Sequence, residues 1–75
     1  MKFWQATLQT HHFNFEAFGA RKSDALMALG HTLRVHGEQY KLESDWVDDF
    51  GQDIECREIE MGAGYRDHHR LVPSG

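Results

Sequence analysis

Ser23-Asp24-Ala25-Leu26-Met27-Ala28-Leu29-Gly30-His31-Thr32-Leu33-Arg34-Val35-His36-Gly37 is the stretch that decides the fold. Leu26, Leu29, Leu33 and His36 recur at helical spacing with Ala25 and Val35 on the flanks, so the segment reads as an amphipathic helix with one apolar stripe. Ser23 reads as its N-cap, and Asp24 sits favourably at the positive end of the helix dipole. Gly30 costs roughly 1 kcal/mol against alanine inside a helix, and is read as a point of close packing on a sheet. Gly37 reads as a left-handed C-terminal cap, with continuation towards Tyr40 as the alternative.

The surface this stripe covers lies upstream. From Lys2 to Thr10 the side chains alternate, with Trp4, Ala6 and Leu8 on one face and Gln5, Thr7 and Gln9 on the other, the pattern of a half-buried strand. A second run, Phe13 to Phe18, puts Phe13, Phe15 and Ala17 on one face and Phe18 on the opposite one. The short interval between the runs predicts a hairpin turning around His11, His12 and Asn14, of no type that an Asn-Gly or Asp-Gly pair would specify.

Downstream of the helix, Lys41 to Gln52 is a connection anchored by Leu42, Trp46, Val47 and Phe50, with a helical turn expected around Ser44 to Phe50. Asp53 to Met61 reads as a strand whose apolar residues change parity, Ile54 and Cys56 against Ile59 and Met61. A bulge near Arg57 or Glu58 would reconcile them. Gly62-Ala63-Gly64 marks a turn, and Tyr65 to Val72 reads as a short fourth strand antiparallel to the third. The predicted architecture is α+β: a small antiparallel sheet of three or four strands in ββαβ(β) order with one main helix on one face. One domain spans residues 1–72, and residues 73–75 form a frayed tail. The predicted core is Trp4, Leu8, Phe13, Phe15, Leu26, Leu29, Leu33 and Ile54.

A chain of 75 residues buries only about 60% of its unfolded surface. Its single cysteine, Cys56, excludes an intramolecular disulfide; with no apolar run of membrane-spanning length and no signal segment, the expectation is a cytoplasmic protein without a membrane partner. Nine aromatic residues, five Phe, two Trp and two Tyr, exceed what one helix covers. Either the middle segment with Trp46 and Phe50 caps the second sheet face, or a second subunit does, and exposed strand edges point to a homodimer.

Six histidines are the compositional outlier. The adjacent pairs His11–His12 and His68–His69 are metal candidates because imidazole suits zinc, nickel or copper, with Cys56 or Asp67 completing a site if the two segments met. Neighbouring histidines in a strand point to opposite faces, however, and no His-x-x-x-His or Cys-x-x-Cys element occurs. Surface histidines in turns, without a cofactor, are the simpler reading. His31 and His36, about 140° apart on a helix, cannot chelate one ion. Cys56 shares the parity of Ile54 and reads as a small buried hydrophobe rather than a nucleophile.

Glu43, Asp45, Asp48, Asp49, Asp53, Glu55, Glu58 and Glu60 crowd one stretch relieved only by Arg57. Val47 at the third position of Asp45 to Gly51 breaks a calcium-loop pattern. Either this is a solvated face, or it complements a basic partner. Asp45, Asp48, Asp49 and Asp53, with the glycine-flanked Tyr65, Arg66 and Asp67, are therefore the candidate partner-binding residues. A net charge of −4 argues against a nucleic-acid partner, although Arg21, Lys22 and Arg34 surround the helix. Exposed Phe or Trp beside arginine on the open sheet face would favour nucleic acid; Glu and Gln there would oppose it.

Phe15-Glu16-Ala17-Phe18-Gly19, the leucine-bearing helix after Ser23, and Arg57 through Asp67 together resemble small uncharacterised proteins encoded by bacteria, bacteriophages and mobile elements. The resemblance spans nearly the whole chain and its motifs are structural. The strand-strand-helix layout is also similar to that of HicB-type antitoxins, but their Asp-Leu-Pro-Gly turn and following DNA-binding domain are lacking, so the similarity is one of layout. The leading functional expectation is a non-catalytic, accessory or inhibitor-like domain that binds a macromolecular partner. A histidine-based metal-binding or enzymatic domain is the alternative, and a nucleic-acid-binding module the third.

Overall fold

The computed structural model describes residues 1–48, 53–67 and 69–73. Its elements are β1 (Lys2–Gln9), β2 (Asn14–Gly19), α1 (Lys22–Gln39), β3 (Glu55–Glu60), β4 (Gly64–Arg66) and β5 (His69–Val72). β1 is the centre of an antiparallel sheet ordered β2-β1-β3, and β4 and β5 form a separate ribbon. The class is α+β, with α1 across one face of the three-stranded sheet, mainly over β2 and β1.

The period-two reading of β1 and β2 holds in detail. Ala6 opposes Ala17 and Leu8 opposes Phe15, which puts these four residues on the helix face, all buried together with Ala25, Leu29 and Leu33 of α1. The facing alanines let the helix backbone come close to the sheet. Trp4, Ala28, Trp46, Val47, Ile54 and Cys56 pack around this centre, partly buried. Two expected core residues lie outside it: Phe13 is 43% exposed and Leu26 39% exposed. Phe13 falls one residue before β2 begins, in the turn, and Leu26 lies one position past Ala25 on the helix, rotated off the buried line through Leu29 and Leu33.

Thr10 closes the β1–β2 turn. Its hydroxyl donates to the Phe13 carbonyl at 2.9 Å and accepts from the Phe13 N–H at 3.1 Å, while its own N–H donates to the Phe13 carbonyl at 2.9 Å. His11 and His12 stand exposed at the tip.

The helix begins before its expected cap and ends where the alternative reading placed it, at Tyr40 rather than Gly37. The N-cap is Arg21, with φ −127° and ψ 159° and no side-chain cap bond, and Ser23 lies inside the first turn. The Arg21 carbonyl already accepts from the Ala25 N–H at 3.1 Å, so the helix starts before the serine. At the other end Gly37 is helical and buried. The chain reverses instead at Lys41, φ 55°: Lys41 N–H donates to Glu38 O at 3.3 Å and Leu42 N–H to Gly37 O at 2.9 Å, the Schellman pattern with lysine where glycine is usual. Gly30, expected at a close packing point, is exposed and would have open space around a Cβ. The close approach is at Gly37, whose Cβ would fall 2.6 Å from Trp46 Nε1.

β3 pairs with β1 without a register shift from Lys2↔Glu60 to Thr7↔Glu55, so the expected bulge at Arg57 or Glu58 is absent. The change of parity has another cause: Ile54 and Cys56 face the helix, whereas Ile59 pairs with Phe3 on the opposite face. Nor does Tyr65 to Val72 extend the sheet. Asp67, φ 49°, turns the chain so that Tyr65 meets Arg70 and Arg66 meets His69, with an irregularity at Gly64/Tyr65. The expected turn around Ser44 to Phe50 is seen as far as Asp48, with Asp48 N–H donating to Asp45 O at 3.0 Å; Asp49, Phe50 and His68 lie outside the described residues.

Candidate functional site: an aromatic and acidic pole

The molecule is elongated, 45 × 23 × 20 Å, and its chemistry-bearing residues gather at two ends. Eight strand residues, about 25 Å at ~3.3 Å each, separate the β1–β2 turn from the start of β1, where Glu60 pairs with Lys2.

At the turn end, α1 finishes beside the hairpin and the following segment folds back over both. His36 is the hub: its ring centroid lies 4.9 Å from Phe13, 4.9 Å from Phe15, 4.7 Å from Tyr40 and 5.3 Å from Trp46. The two phenylalanine contacts are edge-to-face, the favourable arrangement of ring quadrupoles. Beside this cluster opens a hollow of about 530 Å³, walled by Thr10, His11, His12, Phe13, Tyr40 and Leu42 and floored by Phe15, His36 and Trp46. Phe13, Tyr40 and Leu42 remain exposed. The acidic residues rim this end. Glu43 follows Leu42, Asp45 and Asp48 are exposed in the turn beyond it, and Asp53 is exposed against Gln9, Thr10 and His11. Aromatic anchors in a concave, mostly apolar floor, with charged residues in the adjoining segments, have the character of a binding surface.

Tyr65, Arg66 and Asp67 are at the other end, so the two halves of the predicted partner-binding set are not brought together. Among the described residues the β4–β5 ribbon is tethered to the three-stranded sheet through Glu60 of β3. The Tyr65 hydroxyl accepts from the Glu60 N–H at 3.0 Å, and Arg70 Nη1 donates to Glu60 Oε2 at 2.7 Å. Among the described residues Arg66 and Asp67 form no ion pair with each other.

The described histidines of the two pairs are likewise apart. His11 and His12 sit at the turn and His69 in β5, and among the described residues no group of three or more His, Cys, Asp or Glu side chains converges. Cys56 packs against the core. The basic residues near the helix are engaged locally: Arg21 with Asp24 at 3.3 Å, Arg34 donating to His31 Nδ1 at 2.7 Å, and Lys22 with its Nζ 6.0 Å from the centre of the Trp4 ring.

The open sheet face is divided. Phe3 and Phe18 meet at 5.9 Å beside Ile59, Arg57 Nε donates to Gln5 Oε1 at 2.9 Å, and Thr7 lies between Glu16 and Glu55. Trp46 caps the helix side, so this face is not its partner. Two rings beside an arginine would suit a base, but the flanking glutamates oppose a phosphate backbone.

No protein-family model matches the chain, nor does any curated protein or solved structure. Among the described residues no helix is long and apolar enough to cross a membrane. The residues that sequence reasoning missed are Phe13, Tyr40 and Leu42. Each carried a faint signal: Phe13 and Tyr40 fall immediately outside an element boundary and Leu42 three residues past the end of α1, where none has a strand or helix face to join.

Proposed function

We propose that the chain is a non-catalytic protein-interaction module, accessory or inhibitor-like, that seats a basic segment bearing apolar anchors in the aromatic hollow at the end of α1. The hollow carries the proposal: exposed Phe13, Tyr40 and Leu42 over a floor of Phe15, His36 and Trp46, with Glu43 next to Leu42 in the chain, Asp45 and Asp48 on either side of Trp46 in the chain, and Asp53 beside His11. These acidic residues would steer a lysine- or arginine-rich segment, and the rings would hold it once desolvated. A reducing, cytoplasmic setting and a role in a phage or mobile element accord with the lone cysteine and with the resemblance noted above.

The test is a titration of the ¹⁵N-labelled chain with three probes: a basic peptide carrying Leu and Trp anchors, an acidic peptide with the same anchors, and a single-stranded oligonucleotide. The basic peptide should move the amide signals of Phe13, Tyr40, Leu42 and Asp45, less so at high salt, and the double reversal D45K/D48K should remove the response. Equal response to the acidic peptide, or stronger response to the oligonucleotide, would sink the proposal. Affinity capture from a native host with the same reversal as control then identifies the partner.

A further inference from the structure

The outer edge of β3 carries an inference independent of the aromatic pole. Met61 N–H donates inward to Met1 O at 2.8 Å, and by the two-residue period the N–H groups of Ile59, Arg57 and Glu55 also face β1. Those of Cys56, Glu58 and Glu60 face outward. Glu60 N–H is taken by the Tyr65 hydroxyl, which, among the described residues, leaves Cys56 and Glu58 as the open stretch of the edge. α1 lies mainly over β2 and β1, so no helix stands in the way of a strand arriving there.

We infer that this edge pairs with itself: two copies of the chain join β3 to β3 antiparallel about a two-fold axis at Cys56, forming one continuous sheet ordered β2-β1-β3-β3-β1-β2. Charge selects the register. Directly opposed residues must share a face, so the two-fold axis falls on a residue of the strand. Centred on Glu55, Glu58 or Glu60 it sets a glutamate against its own copy; on Arg57, arginine against arginine; on Ile59, Glu58 against Glu60. Like charges directly opposed are destabilising. Centred on Cys56, by contrast, Glu55 of each copy faces Arg57 of the other, twice. These are the non-hydrogen-bonded positions, where side chains approach most closely, and both residues lie on the open sheet face. Cys56 and its copy exchange backbone hydrogen bonds, as do Glu58 and Ile54 across the axis. Glu55, a charge that guards the edge, becomes a pairing partner in this register.

Sedimentation velocity of the full chain from about 10 μM to about 1 mM should show a reversible dimer. E55R, which opposes arginine to arginine at both pairs, should raise the dimer Kd about tenfold or more, and E55R/R57E should restore it because the swapped pairs are complementary again. Glu58→Pro removes an outward N–H and the exposed Lys2–Glu58 ion pair at 3.7 Å but no β1–β3 backbone bond, so the single copy keeps its fold, verified by circular dichroism, while the dimer is lost. A short bismaleimide should link the two Cys56 thiols in the wild-type dimer. A chain monomeric at about 1 mM, a dimer indifferent to E55R and Glu58→Pro, or a folded double variant as weak as E55R would each overturn the inference.

Discussion

Replacing Gly37 with alanine places a methyl carbon 2.6 Å from Trp46 Nε1 and 3.1 Å from its Cδ1, well inside contact distance. Helix propensity alone favours the change by about 0.8–1 kcal/mol. The opposing cost is set by what must move. Trp46 is a large ring packed against His36 and Phe15, and forcing a seated side chain aside costs typically 1–3 kcal/mol. The net is a loss on the order of 1 kcal/mol. Gly30 supplies the control, because its added methyl meets nothing within 4 Å and the propensity gain of about 0.8–1 kcal/mol should appear undiminished. The two variants, chemically identical and two helical turns apart, should therefore differ by about 2 kcal/mol, or on the order of 10 °C in Tm for a domain of this size. Thermal and urea unfolding measure the difference, and fluorescence in a Trp4→Phe background should show Trp46 shifted to the red in Gly37→Ala only. Equal stabilisation by both substitutions, with Trp46 emission unchanged, would refute the seating of Trp46 on Gly37.

Leu29, 1% exposed at the centre of the core, should cost about 2–5 kcal/mol when cut to alanine; a loss of unfolding free energy in urea of less than about 1 kcal/mol would contradict its placement. Tyr65→Phe removes the acceptor of the Glu60 N–H and should accelerate hydrogen exchange at that amide roughly fivefold, equivalent to about 1 kcal/mol, with distant core amides unaffected. Lys41→Gly relieves a left-handed residue at the helix end and should stabilise by up to about 1 kcal/mol in chemical denaturation; destabilisation there would mean that the lysine side chain contributes more than its backbone strain.

The parts of the fold legible in the sequence are those written in one strong period. Trp4, Ala6 and Leu8 against Gln5, Thr7 and Gln9 predict both faces of β1, and Phe18 is correctly set opposite Phe15. Periodicity fails where two faces are both partly apolar. Ile59 looked out of step with Cys56 because each answers a different neighbour, Phe3 on one face and the helix on the other. It fails again at boundaries, where Ser23 and Gly37 have the right chemistry for caps but lie within a helix whose ends are set by backbone bonds at Arg21 and Lys41. Of the candidate site, the acidic residues and the Tyr65 turn were visible individually. Their separation to opposite ends was not, since it follows from where β3 pairs along β1, a contact between residues 48 to 58 positions apart.

That pairing divides the chain in time as well as space. Among the described residues every buried core residue, from Ala6 to Leu33, belongs to β1, β2 or α1, so that hydrophobic centre is complete before β3 has left a ribosome. β3 then adds hydrogen bonds and partly buried cover to a unit already assembled, and its detachment exposes little of that centre. Opening of β3 should accordingly be a sub-global event of lower free energy than unfolding of the helix and hairpin. Amides of Phe3, Gln5 and Thr7 that answer to β3 would then exchange faster than those of the same strand that answer to β2.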